Sequence, residues 1–375
     1  MTKGHTVPEV EHAYTQAYAL CQQMGDTPAL FPVLLGLWRF YGVRGPLHTA
    51  RELAETLLDL AHRAYDPALV VVAHHALGLT WFLLGALPAA RQHLEAGIAR
   101  YTPDQSQAPV FRTGQDSGVA CRAYAAWTLW VLGYPEQAMT HLHEALALAH
   151  TLAHSYSLVF ARHMAAMIAK FRGDVQAVYD DAEAVVALAT TQSFPLWAAF
   201  GTIDRGWALA MQGQGEGGLA QVREGIAALQ ATGAVLPVAY WCTVLAEVAD
   251  HLGHPADGLQ ALTEAHTLVE QYDLRLWEAE VCRLRGVLLL RQPETPQAEA
   301  EACFQHALDV ARRQEAKSLE LRAATSLARL WQQQGKRQEA YDLLASVYHW
   351  FTEGFDTADL KDAKALLEEL TERQS

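Results

Sequence analysis

The residues in this sequence best suited to chemistry are its histidines, two cysteines, one glycine-rich stretch and a scattered series of aromatic residues and arginines. Seventeen histidines include His74-His75, His141 with His143, and His150 with His154. A metal site needs two or more ligands on one face, joined by a carboxylate or thiolate, and the pair His150/His154 falls across an expected helix end. No H-E-x-x-H occurs. These side chains therefore read as surface or inter-helix histidines. The five cysteines, Cys21, Cys121, Cys242, Cys282 and Cys303, contain no C-x-x-C pair, which argues against a disulfide framework or a thiolate zinc site. Cys282 and Cys303 have no base tied to them and read as small core residues, not nucleophiles. The stretch Gln212 to Gly218, "QGQGEGG", approximates a phosphate-cradling loop. Such a loop must follow a strand and open a helix, whereas this one follows "GWALAM" and reads as a turn. No G-x-S-x-G elbow is found. The sequence predicts no catalytic residue, no cofactor and no metal.

Whatever the aromatic residues and arginines do depends on the elements that carry them, and those elements repeat. Gly45, Gly85, Gly133, Gly173, Gly213, Gly253 and Gly335 are separated by 40, 48, 40, 40, 40 and 82 residues. Five residues after each glycine stand Ala50, Ala90, Ala138, Val178, Gly218, Gly258 and Ala340. Nine after come Ala54, Leu94, Leu142, Ala182, Val222, Leu262 and Leu344, and twelve after come Leu57, Gly97, Ala145, Val185, Gly225, Ala265 and Val347. Offsets that step by four and three share one helix face, and small residues there let a neighbouring helix approach closely. Each unit thus reads as a first helix A, a turn with glycine in the left-handed C-cap role, and a second helix B. Pro88, Pro135 and Pro255 sit where a B helix begins, a place in which the missing N–H would be unpaired anyway. Period-two alternation is absent, so strands are not expected.

Two departures from the register mark irregular segments. Residues 101–118, "YTPDQSQAPVFRTGQDSG", hold eight extra residues and read as a loop; residues 291–297, "RQPETPQ", lengthen the turn of a seventh unit built on Gly286, Ala300, Phe304 and Ala307. The organisation read from the sequence is a tail over 1–7 and a solenoid over 8–350. The solenoid comprises a half-unit at 8–26 followed by eight helix pairs, and a capping helix lies within 351–375. A half-unit start points to a piece of something longer or to an atypical cap. The fold class is all-α, a right-handed superhelical solenoid of antiparallel helix pairs with a repeat of about 40 residues.

The offsets resemble the tetratricopeptide repeat, with "Leu77-Gly78-Leu79-Thr80-Trp81" and "Ala90…Leu94…Gly97" as the best local match, although the usual period is nearer 34. Phrases such as "CQQMGDTPALFPVLLGLWRFY", "GFDTADLKDAKALLEEL" and "RGWALAMQGQGEGGLAQVREGI" look like the C-terminal tetratricopeptide region of bacterial proteins that join an adenylate/guanylate cyclase, a multi-domain signal-transduction ATPase and a repeat array. That resemblance implies a non-catalytic sensor or scaffold whose partners are a protein, a peptide or a small effector, besides the ATPase and cyclase domains of a parent chain. It also implies that the A helices line a concave groove. The groove positions fall on Arg39, His75, Phe82, Trp127, Trp130, His163, Met167, Lys170, Phe200, Trp207 and Tyr240, then on Glu247, Asp250, Arg283, Arg322 and Arg329. Aromatic and arginine anchors are what peptide-binding hot spots use. The alternative is that longer helices bury these aromatics between neighbouring A helices.

Composition narrows the partners. The 375 residues are 51% hydrophobic and 19% charged, enough for a core throughout, and the net charge of −14 argues against a surface for nucleic acid or anionic membrane. No run approaches the roughly 18 apolar residues of a membrane span, and Met1 to Val10 lacks a signal-peptide stretch, so a cytoplasmic setting is expected. The acidic tail, with Glu353, Asp356, Asp359, Asp362, Glu368 and Glu369, reads as a solvated cap face or a dock for a basic partner. Two rival functions remain at this point: a free-standing scaffold or transcription-regulatory module, and an α/α-toroid hydrolase, which needs clustered carboxylates in a closed cavity.

Overall fold

The computed structural model describes residues 8–24, 27–103, 114–293 and 295–372. Among them are eighteen α-helices, one 3-10 turn and no strand. Helix α1 (Pro8–Met24) precedes α2 (Thr27–Arg44) and α3 (Leu47–Arg63), α4 (Pro67–Leu83) and α5 (Leu87–Arg100), α6 (Ser117–Leu132) and α7 (Pro135–Leu152), α8 (Ser155–Arg172) and α9 (Val175–Thr191). There follow α10 (Pro195–Met211) and α11 (Gly215–Ala231), α12 (Leu236–His251) and α13 (Pro255–Tyr272), α14 (Glu278–Leu290) and α15 (Gln297–Arg313), α16 (Lys317–Gln333) and α17 (Arg337–Tyr348), and last α18 (Ala358–Glu372). Ten residues of the expected loop, 104–113, lie outside the described residues, as do 1–7 and most of the turn at 25–26.

The local causes are those of the repeat. All seven register glycines adopt φ between +74° and +95° and close the A helices. A second left-handed position recurs about twenty residues on, at the turn from B back to A. It is filled by Tyr65, Ala153, Ser193, Gly233, Asp273 and Glu315. Only one of these six is glycine, so the second half of the rhythm carries no compositional mark. Helices α4 and α6 are buried on nearly every side, while B helices bury one stripe: Ala138, Leu142, Ala145 and Ala149 in α7, or Val178, Ala182, Val185 and Ala189 in α9. The A helices therefore form an inner layer and the B helices an outer one.

An open array lets each unit touch only its neighbours. Here the coil also meets itself: α2 touches α12, α6 touches α16 and α8 touches α18, each pair five units apart. Val235 N–H donates to the Val43 carbonyl at 3.1 Å, and Ser318 Oγ donates to the Trp130 carbonyl. The turn glycine Gly133 also admits the returning chain, since a Cβ there would lie 2.7 Å from the Trp350 ring. Glu353 accepts from the N–H of Glu136 at 2.9 Å and of Gln137 at 3.3 Å, capping the start of α7 from more than two hundred residues away. That acid is not simply part of a solvated face.

Candidate binding seam and its charged mouth

Because the coil closes on itself, the inner faces of the A helices meet. The aromatic residues on them form one connected seam. At the N-terminal end Trp38 donates its indole N–H to Thr80 Oγ1 at 3.0 Å and stands edge-on to His75, which stacks on Tyr124. Phe82 and Tyr124 continue to Trp127 and Phe160. Trp127 then crosses the axis to Tyr240 and Trp277, with centroids 6.0 and 5.3 Å away, while Tyr240 and Trp277 lie 4.5 Å apart. On the other side His163 stacks on Phe200 at 4.9 Å, against Trp197 and Trp241.

Of the positions expected to line the groove, His75, Phe82, Trp127, Trp130, His163, Met167, Lys170, Phe200, Trp207 and Tyr240 are all buried. Trp130 leans toward Phe171, and Met167 joins the same core. Arg39 is half-buried beside Tyr14 and Tyr156 and meets no carboxylate among the described residues. Arg329 stands apart, on the exterior, paired with Asp362. The seam also includes rings that the sequence reading passed over. Tyr124, Phe160 and Trp197 each precede a chosen residue, Trp127, His163 or Phe200, by three positions, so the i, i+3 spacing of one helix face was the available signal. Trp277 and Trp241 had no such mark.

Burial sets the electrostatics. The His75 imidazole is pushed down to about 3 by burial, with the Arg39 charge adding to the effect, so it is neutral near pH 7. His74, pushed down to about 4 chiefly by burial, faces His93 with Nδ1 atoms 3.1 Å apart. His163 Nδ1 lies 3.0 Å from Asp204 Oδ2. Five polar atoms on the seam find no hydrogen-bond partner among the described residues: His75 Nε2, Trp127 Nε1, Trp197 Nε1, Asp204 Oδ1 and Tyr240 OH. No group of three or more His, Cys, Asp or Glu among the described residues is placed to hold a metal ion. Gln212–Gly218 is a repeat turn, with Gly213 at φ +92° and α11 starting at Gly215.

Toward the C-terminal end the seam becomes ionic and opens. Lys170 Nζ meets Glu247 Oε2 at 2.9 Å and lies 5.0 Å from the Tyr240 ring centroid. Glu280 holds Arg283 in a two-point grip at 2.6 and 2.9 Å and also meets Arg322 at 2.8 Å. Arg322 reaches Glu247 at 3.4 Å and stands 3.6 Å from Asp359 on α18. Burial alone would raise the Glu280 carboxyl, but Arg283 and Arg322 outweigh it and hold it at about 2. Glu247 is likewise held low by Lys170 and Arg322 against the effect of burial. A chamber of about 480 Å³ opens here. Lys170, Glu247, Arg322 and Asp359 line it together with the rings of Phe171 and Trp207.

No family model matches this chain, and no curated protein does. Solved structures are similar in fold. A Rap protein complexed with competence and sporulation factor is 14% identical and aligns over 81% of this chain and 85% of its own, with a TM-score of 0.57. NprR in complex with its cognate peptide NprX is 11% identical over 90% of this chain and 96% of its own, with a TM-score of 0.52. Aspartyl phosphate phosphatase F from Bacillus subtilis is 11% identical over 91% and 88%, with a TM-score of 0.50. The fold is thus that of the tetratricopeptide-like helical-repeat solenoids. This solenoid is coiled tightly enough to close its inner face. No described helix is long and apolar enough to cross a membrane.

Proposed function

We propose that the chain is a non-catalytic regulatory scaffold whose inner seam opens to take up an extended peptide or protein segment. The observation that carries this reading is the set of five orphaned polar atoms, His75 Nε2, Trp127 Nε1, Trp197 Nε1, Asp204 Oδ1 and Tyr240 OH, all on A-layer helices. Leaving a buried donor or acceptor unpaired costs about 1–3 kcal/mol each, so the closed seam carries a penalty that an arriving backbone, rich in N–H and C=O groups, relieves. Aromatic rings between the polar atoms offer side-chain pockets. Arg39, a half-buried cation without a carboxylate, is suited to an acidic side chain at one end of the peptide. NprR, similar in fold, was solved in complex with its cognate peptide NprX, and a Rap protein complexed with competence and sporulation factor, which supports a peptide as the ligand here.

The resemblance of "GFDTADLKDAKALLEEL" and the other quoted phrases to cyclase–ATPase signalling proteins extends the proposal: the solenoid is the cytoplasmic sensor part of such a chain and passes peptide occupancy to ATPase and cyclase domains. The test is selection from a library of C-terminally amidated dodecapeptides on the purified protein, read by tryptophan fluorescence. Selected peptides should shift the emission as Trp127 and Trp277 separate, and Arg39→Ala should weaken those carrying an acidic residue. Peptides that bind with no change in tryptophan emission, or selection that yields nothing above bare matrix, would overturn the reading.

A further inference from the structure

The chamber at the charged mouth has its own logic, independent of whether the seam opens. Its cations are not equally well matched. Glu280 uses both oxygens on Arg283 and one on Arg322, and Glu247 uses one oxygen on Lys170 and the other on Arg322. Asp359 is different in origin and geometry. It is delivered by the last helix, lies 3.6 Å from Arg322 Nε, and makes no hydrogen bond among the described residues. The Arg322 Nε–H is therefore the one donor of that guanidinium facing a carboxylate it does not reach. Beside it, Trp207 and Phe171 form an apolar wall, with Lys170 Nζ 5.6 Å from the Trp207 ring centroid and Arg322 5.8 Å from that of Phe171.

We propose that this chamber is a binding site for a carboxylate carried next to a flat apolar group, and that Asp359 occupies the position the ligand's carboxylate takes on Arg322. A planar guanidinium accepts a second carboxylate with better geometry than a side chain tethered to a helix can offer. The ring of the ligand lies against Trp207 and Phe171, and a volume of about 480 Å³ admits a molecule of metabolite size. Desolvation raises the Asp359 carboxyl above its ordinary range even though Arg322 and Arg283 pull it down. Asp359 is thus a poorly satisfied occupant, and a better anion displaces it. Displacement frees the start of α18, whose first residue Ala358 sits at Gly173 of the α8 turn, so occupancy of the chamber is felt where the coil meets itself.

The same chemistry occurs in a free aromatic acid and at the terminus of a peptide ending in an aromatic residue. The full chain is titrated with N-acetylphenylalanine, with N-acetylphenylalanine amide, and with a short alanine peptide ending in a free phenylalanine, using tryptophan fluorescence and calorimetry. The acid should bind and the amide should not. Asp359→Ala should tighten the acid about tenfold or more by removing its competitor, and Arg322→Lys, which keeps the positive charge but loses the planar fork, should reduce the preference for acid over amide. A tighter peptide assigns the chamber to chain termini, and equal affinity assigns it to free acids. Equal binding of acid and amide, or an Asp359→Ala protein that binds the acid no better than the unaltered chain, overturns the proposal. The seam is tested with amidated peptides alone, so either idea can fail without the other.

Discussion

Replacing Tyr240 by phenylalanine removes one oxygen and little else. The ring is 5% exposed and packs against Trp127, Trp241 and Trp277 at centroid distances of 6.0, 4.9 and 4.5 Å, contacts that phenylalanine keeps. The ammonium of Lys170 stays over the ring face. What disappears is a buried hydroxyl with no partner, whose desolvation costs about 1–3 kcal/mol. The space left by an oxygen returns on the order of 0.3 kcal/mol of that as a cavity cost. Tyr240→Phe should therefore stabilise the protein by about 1–2 kcal/mol, seen as a higher urea midpoint with an unchanged slope. Thr80→Val is the matched control, because its hydroxyl is satisfied twice, accepting from Trp38 Nε1 at 3.0 Å and donating to the Ala76 carbonyl at 2.8 Å. Losing it orphans the indole and should destabilise by about 1–3 kcal/mol. If Tyr240→Phe lowers the midpoint as Thr80→Val does, the Tyr240 hydroxyl is bonded after all, and the argument from orphaned polar atoms fails with it.

Adjacent glycines in α11 should respond with opposite signs. Gly217→Ala meets nothing within 4 Å and should stabilise by up to about 1 kcal/mol through helix propensity, while Gly218→Ala places a Cβ 2.5 Å from the Ala210 nitrogen and should destabilise by about 1–3 kcal/mol or more, both read from thermal melts. Acid should weaken the fold well before its carboxylates protonate: with His75 near 3 in the folded chain against about 6.5 unfolded, the unfolded state binds the extra proton. Its stabilising contribution is complete above pH 6.5 and falls by about 2 kcal/mol by pH 5, a loss that His75→Gln should remove from the pH dependence of the urea midpoint. Glu353→Ala should cost about 0.5–2 kcal/mol by uncapping α7, and hydrogen exchange should localise the change to the amides of Glu136 and Gln137, far from the substitution in sequence.

The sequence by itself determined the helices, the pairing and the turns, because each of these is settled within one period of about 40 residues. A glycine needed at positive φ, a proline tolerated in a first turn and small residues stepping by four and three are local requirements that leave local marks, as at Gly133, Pro135, Ala138, Leu142 and Ala145. Half of the left-handed turns escaped notice for the same kind of reason. Tyr65, Ala153, Ser193, Asp273 and Glu315 hold the conformation through the packing of two helices, so no glycine records it. The sequence also selected ten residues that the seam brings inside the coil.

Only the tertiary structure decided what those residues face. Whether Trp127 looks into a groove or onto Tyr240 and Trp277 depends on how far the superhelix rotates per unit, a quantity summed over five repeats, and no single period records a small angle that accumulates. The ionic mouth is of the same kind. Lys170, Glu247, Glu280, Arg322 and Asp359 come from five different helices, and their signs match only once the coil has returned on itself. Asp359, one acidic residue among seven beyond residue 350 by sequence, comes to line a chamber because the final helix lands beside α8.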